Sequence, residues 1–218
     1  MLNFECMKNI FILLISSILT FYSIGQKAKP FCGKFTYSIN IADTSLSKFF
    51  PEKKMFIYTN DSLLRIENHT EEFGMQILIK HMVKNKSYLL LSLDNGNFAI
   101  QTNHETVNLD SSLYTISKKI GKNKICGLKA KKLIVKHPSF EHQTEFYYLP
   151  KYAPKYLNAF YEFPGLPVLY YLNSEYGLLK YELIEINEEI PNYDLFGIPS
   201  DFKKLTFDEF VKEMIKVE

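Results

Sequence analysis

The groups in this 218-residue chain able to move protons, hold a metal or attack a carbonyl are five histidines, three cysteines and 24 acidic side chains. A zinc pair wants two histidines on one face of a strand or one turn apart on a helix. His137 and His142 flank a stretch containing Pro138, and on a strand their odd spacing puts them on opposite faces. His69, His81 and His104 are scattered. Glu71-Glu72 and Glu188-Glu189 read as solvated turn charges. The sequence has no phosphate-binding loop, nucleophile elbow or paired-carboxylate signature. These spacings predict no catalytic residue, no metal and no cofactor. Cys32 and Cys126 form a candidate disulfide if the chain reaches an oxidising compartment, and are otherwise two small apolar thiols.

Charge narrows the partners. The net charge is +2, and of the 26 lysines and arginines only Arg65 is an arginine. Lysine is a flexible point charge, whereas arginine is the planar fork that reads phosphate. Neither nucleic acid nor a phosphate-reading surface is predicted.

Aromatic residues make up 15% of the chain and crowd the stretch from Tyr147 to Tyr171. Such rings either line a lipid or glycan site or pack a core, because tyrosine joins an apolar body to a polar tip. Pro164-Gly165-Leu166-Pro167 within this stretch is a stiff turn, read either as the lip of a binding mouth or as a structural corner.

The elements that must position these groups are mostly strands. Phe35, Tyr37, Ile39 and Ile41 alternate with Lys34, Thr36, Ser38 and Asn40, which predicts a strand with one wet face. Further strands are expected over 54–59, 63–68, 75–81, 87–93, 97–102, 113–120, 129–136, 143–149, 166–173 and 178–186. Asp94-Asn95-Gly96 supplies a tight hairpin turn, and Gly121, Gly127, Asn173 and Gly177 mark other turns. Thr206 and Glu209 form a capping box ahead of an apolar stripe, Phe207, Phe210, Val211, Met214 and Ile215, which predicts a C-terminal helix. Short helices are also expected over 45–50 and 151–160.

So many strands and so few helices predict a mainly β, α+β fold: one strongly curved antiparallel sheet, an open or half barrel, closed by short helices including the C-terminal one. Its interior is either a packed core or a cavity for an apolar ligand. For a cavity, the candidate lining residues are Phe146 and Tyr148 on the aromatic strand, Leu166 and Tyr170 after the Gly-Leu-Pro turn, and Leu90 on the strand that is apolar on both faces.

Three motifs carry a family resemblance: Ile125-Cys126-Gly127-Leu128-Lys129-Ala130, the aromatic strand Glu145-Phe146-Tyr147-Tyr148, and Pro164-Gly165-Leu166-Pro167. Together they resemble the GLPGLI family of exported Bacteroidota proteins, which is similar in outline to the lipoprotein-carrier (LolA-like) half barrels. This chain departs at Leu128, where an aromatic is usual, at Phe146-Tyr147 in place of Trp-Tyr, and at Gly-Leu-Pro-Val-Leu in place of the full motif. The resemblance implies a half-barrel outline and no particular activity.

Met7-Lys8-Asn9, the apolar run Ile10 to Ile24 and the polar stretch that follows read as a signal peptide over residues 1–26. The run is shorter than the roughly 20 residues needed to span a bilayer, so no permanent membrane anchor is expected after cleavage. Residues 27–218 then form a single exported domain, periplasmic or secreted. The function expected is that of a non-enzymatic envelope protein holding a lipid or a lipoprotein acyl chain. The alternative is a structural or adaptor protein of an envelope complex, with a packed interior and a protein partner.

Overall fold

The computed structural model describes residues 28–70, 74–102, 115–138, 140, 142–157 and 159–215. The expected signal peptide, His104 and Glu71-Glu72 lie outside the described residues.

The strands are β1 (Cys32–Ile41), β2 (Lys53–Asn60), β3 (Leu63–Thr70), β4 (Gly74–His81), β5 (Lys86–Leu93), β6 (Gly96–Thr102), β7 (Thr115–Ile125), β8 (Leu128–Lys136), β9 (Thr144–Leu149), β10 (Leu166–Ser174), β11 (Gly177–Asn187) and β12 (Lys203–Thr206). All belong to one open sheet in the order β12-β6-β5-β4-β3-β2-β1-β11-β10-β9-β8-β7. The chain starts in the middle at β1, meanders outward to β6, resumes at the far edge with β7 and meanders back until β11 pairs with β1. Two antiparallel meanders are thus joined back to back.

The meander β7–β11 curls. The β7–β8 turn returns to β11, where Cys126 sulfur accepts the Ile186 backbone N–H. Cys126 (φ 50) and Gly127 (φ 72) both sit in the left-handed region that a tight hairpin turn requires. Inside the curl lies one cluster that includes Phe35, Tyr37 and Ile57 from β1 and β2, and Leu133, Phe146 and Leu183 from the curled strands. The segment after β9 plugs it. Tyr152, Tyr156, Phe160 and Phe163 are buried there around a single 3-10 turn, Pro154–Leu157.

The outer strands are covered differently. Directly paired residues share a face, so Asn68, Gln76, Leu91 and Phe98 form a row across β3–β6 on the inner face, the face that carries Phe35 and Tyr37. Leu91, Phe98 and Ile100 cluster there with Phe210 of helix α1 (Phe207–Ile215). On the outer face, Ile79, Leu90 and Ala99 cluster with Ile198 and Phe202 from the crossing that leads to β12. Arg65 Nη1 ties this crossing to β3 by donating to Leu195 O at 2.8 Å.

The curved, mainly β fold agrees with the sequence reading, with four differences in detail. β12 pairs with β6 in parallel, because the crossing delivers the chain to that edge in the same direction. β7 runs through Gly121 with a bulge between Lys118 and Lys122 instead of ending there. The expected helix over 45–50 is a run of exposed turns, started by Asp43 Oδ1 accepting from Ser45 N and Oγ, because local Asp and Ser bonds compete with helix formation. The wet face expected for β1 is also largely covered. Thr36 and Ser38 are buried because β1 is a central strand, and Thr36 Oγ1 donates to Glu185 Oε2 at 2.9 Å.

Candidate functional site

The candidate site is the part of the inner face that the plug leaves open. Leu89 and Leu91 of β5 and Ile100 of β6 face inward there by their shared register. Phe207 and Phe210 of α1 stand over them, and together with Gln76 and Thr102 they line a cavity of about 740 Å³. That volume lies within the range of about 300–1,000 Å³ typical of small-molecule pockets.

The helix is held in place from its own sequence. Thr206 N donates to Glu209 Oε2 at 2.7 Å and Glu209 N donates back to Thr206 Oγ1 at 3.3 Å, the expected capping box. Thr206 N and Thr206 Oγ1 both donate to the Glu209 carboxylate and hold it below its ordinary value. Lys203 Nζ pairs with Glu213 at 2.5 Å, and the Phe210 ring meets Phe98 edge-on at 5.5 Å. Of the rest of the apolar stripe, Phe207, Val211 and Ile215 are exposed.

A polar edge separates this cavity from the plug. Ser87 and Thr102 join hydroxyls at 2.7 Å. Buried Lys80 donates to Tyr161 Oη at 2.9 Å, and burial pulls its ammonium below the usual lysine value. A second cavity of about 380 Å³ opens on the same face toward β1 and β11, lined by Asn68, His69, Lys53, Tyr176 and Tyr181 among others, and Gln76 borders both cavities.

The residues predicted from sequence to line a ligand site fall elsewhere. Phe146, Tyr148, Leu166 and Tyr170 come together in the plugged core. The Phe146 ring contacts Phe160, Phe163 and Tyr171 at 5.7, 5.9 and 5.8 Å, and Tyr170 stacks on Tyr181 at 4.8 Å. Leu90 is buried on the outer face. None of the five lines either cavity. The lining residues missed by the sequence reading carried a signal nonetheless: β5 is apolar on both faces, and Phe207 and Phe210 head the helix stripe.

Gly165 makes the Gly-Leu-Pro turn a structural corner, since a Cβ there would come within 2.4 Å of Leu149 O. Leu166 N donates to Tyr152 O at 2.8 Å, and Tyr37 Oη donates to Pro167 O at 2.7 Å. The plug is pinned at its other end by Tyr156, whose hydroxyl donates to Asp61 and accepts from Phe31 N, while Lys155 Nζ lies 2.6 Å from the same Asp61 carboxylate. Burial pushes the Asp61 carboxyl up, but the bonds from Lys155 and Tyr156 outweigh it and leave it below its ordinary value.

Cys32 and Cys126 are unbridged, correcting the candidate disulfide. Cys32 lies exposed at the start of β1, whereas Cys126 is held in its turn by Ile186 N–H. Burial pushes the Cys126 thiol up against that bond. His137 packs on Phe140 at 5.4 Å and His142 is exposed. Among the described residues, no group of three or more His, Cys, Asp or Glu is placed to hold a metal, and no helix is long and apolar enough to cross a membrane.

No protein-family model matches the chain, and no curated protein matches it. Among solved structures the chain is similar to PNGF-II. One PNGF-II crystal form superposes with a TM-score of 0.51 at 13% identity, over 84% of this chain and 33% of that one. A second gives 0.49 at 14% identity, over 84% and 32%. The chain therefore spans about a third of the length of PNGF-II, and at this identity the likeness is one of fold.

Proposed function

We propose that this is an exported, non-enzymatic cell-envelope protein that holds an apolar guest, such as a lipid or acyl chain, on the inner face of its sheet. The observation that carries the reading is the cavity between β5, β6 and α1, where Leu89, Leu91, Ile100, Phe207 and Phe210 present apolar surface across about 740 Å³. Burying an acyl chain there gains about 0.8 kcal/mol per methylene. The GLPGLI-type motifs and the signal-peptide pattern support the export half of the proposal.

Native mass spectrometry of the protein gently extracted from its own compartment tests this reading. A mass excess that organic solvent releases as lipid is expected, and a clean apo mass would count against it.

The exposed row Phe207, Val211 and Ile215 on α1 favours the second reading, an adaptor whose helix meets an envelope protein. Crosslinking from position 211 that captures one stoichiometric partner, with no bound lipid, would favour the adaptor.

A further inference from the structure

The two inner-face cavities differ in chemistry and share a wall. Across β3–β6 the register places Asn68 opposite Gln76, Gln76 opposite Leu91, and Leu91 opposite Phe98, so one row of side chains runs from polar to apolar. Gln76 lines both cavities at the point where the character changes. On the polar side, Asn68 Oδ1 is buried without a hydrogen-bond donor among the described residues. Gln76 Nε2, on the paired residue, donates instead to Thr70 Oγ1 at 3.2 Å. A buried acceptor left without a donor is costly, and a ligand that supplies one recovers that cost. Among the described residues, the charged side chains lining this cavity are Lys53 and Glu175, of opposite sign, with His69 beside them. Tyr176, Tyr181 and Phe50 add ring faces and polar tips.

We infer that the guest is a single-chain amphiphile with a neutral, hydroxyl-bearing headgroup. Its chain occupies the apolar cavity under α1, and a headgroup hydroxyl donates to Asn68 Oδ1 beside Tyr181. This inference rests on the proposed apolar-guest function and adds the chemistry of the head.

The test is displacement of the apolar dye phenylnaphthylamine from the full chain by monopalmitoylglycerol, hexadecyl glucoside and methyl palmitate, each below its micellar concentration. Methyl palmitate has the same chain length with no donor in its head. Monopalmitoylglycerol or hexadecyl glucoside is expected to displace the dye at about tenfold lower concentration than methyl palmitate, a gain of about 1.4 kcal/mol. The better of the two tells a glycerol head from a sugar head. Asn68→Leu is expected to erase the advantage by weakening displacement by the two hydroxyl-bearing amphiphiles about tenfold. Equal displacement by all three from the unmodified protein overturns the headgroup inference and leaves the apolar-guest reading standing. Failure of the dye to bind at all overturns both. Should Asn68→Leu not fold, the comparison on the unmodified protein still decides.

Discussion

The curled half of the sheet, β7–β11 with β1 and β2, and the outer half, β3–β6 with β12, are built from similar alternating strands but finish differently. In the curled half the strands roll around their own side chains, and the segment 150–165 fills what remains with rings. Phe35, Phe146, Tyr156 and Leu166 are completely buried. In the outer half each face of the sheet has its own cover. The crossing to β12 covers one face with Ile198 and Phe202, while a short helix covers the other in part and leaves a cavity. Alternation fixes which residues face inward; what lies above them depends on curvature and on segments distant in sequence.

Substitutions in the two halves should therefore separate stability from binding. The largest effect is expected for Phe146→Ala, which empties the centre of the ring cluster and costs about 3–5 kcal/mol. Denaturant unfolding monitored by circular dichroism checks it, and a loss below about 1 kcal/mol would break the contrast. Leu91→Ala is expected to cost only about 2 kcal/mol, the low end for a buried leucine, because its side chain already borders empty space. It should nonetheless weaken binding of apolar probes, measured by dye titration. Thr206→Ala removes the helix cap and is expected to cost about 1 kcal/mol, with a matching loss of hydrogen-exchange protection confined to α1 and its contacts.

The smallest effect concerns pH. Asp61 has a native carboxyl below its ordinary value of about 3.9. The native state therefore binds fewer protons than the unfolded state there. The contribution of Asp61 is fully present above that value and is lost as pH falls through the native one. Asp61→Asn is expected to flatten the acid limb of a stability–pH profile slightly without moving its neutral plateau beyond the loss of the Lys155 pair. The exposure of Lys155 keeps that loss small.

Most strands could be read from residue types alone, because runs such as Phe35, Tyr37, Ile39 and Ile41 carry the period of a pleated strand. The capping box at Thr206 and Glu209 was equally legible, since both of its bonds are local. β12 was not: Lys203 to Thr206 has no strand pattern and pairs only because the crossing brings it beside β6. The site was half legible. A strand apolar on both faces, like β5, announces that both faces are covered without saying which cover is complete. Leu90 was for that reason assigned to the side opposite the one it occupies, and Leu89 and Leu91 line the cavity instead. The rings of the aromatic stretch were visible in sequence, but whether they line a hollow or fill it was decided by the plug folding back through Tyr156 and Gly165.

The central claim is that the guest's apolar chain lies against the outer half and not among the packed rings of the curled half. It is tested most directly by titrating phenylnaphthylamine into three proteins: the unmodified chain, Leu89→Glu and Phe146→Leu. Leu89 is half-buried and faces the cavity, so a carboxylate there should cut dye affinity by about tenfold or more with the fold retained. Phe146→Leu should bind as the unmodified chain does while unfolding at lower denaturant. Binding unaffected by Leu89→Glu but lost in Phe146→Leu would place the guest among the rings and contradict the account.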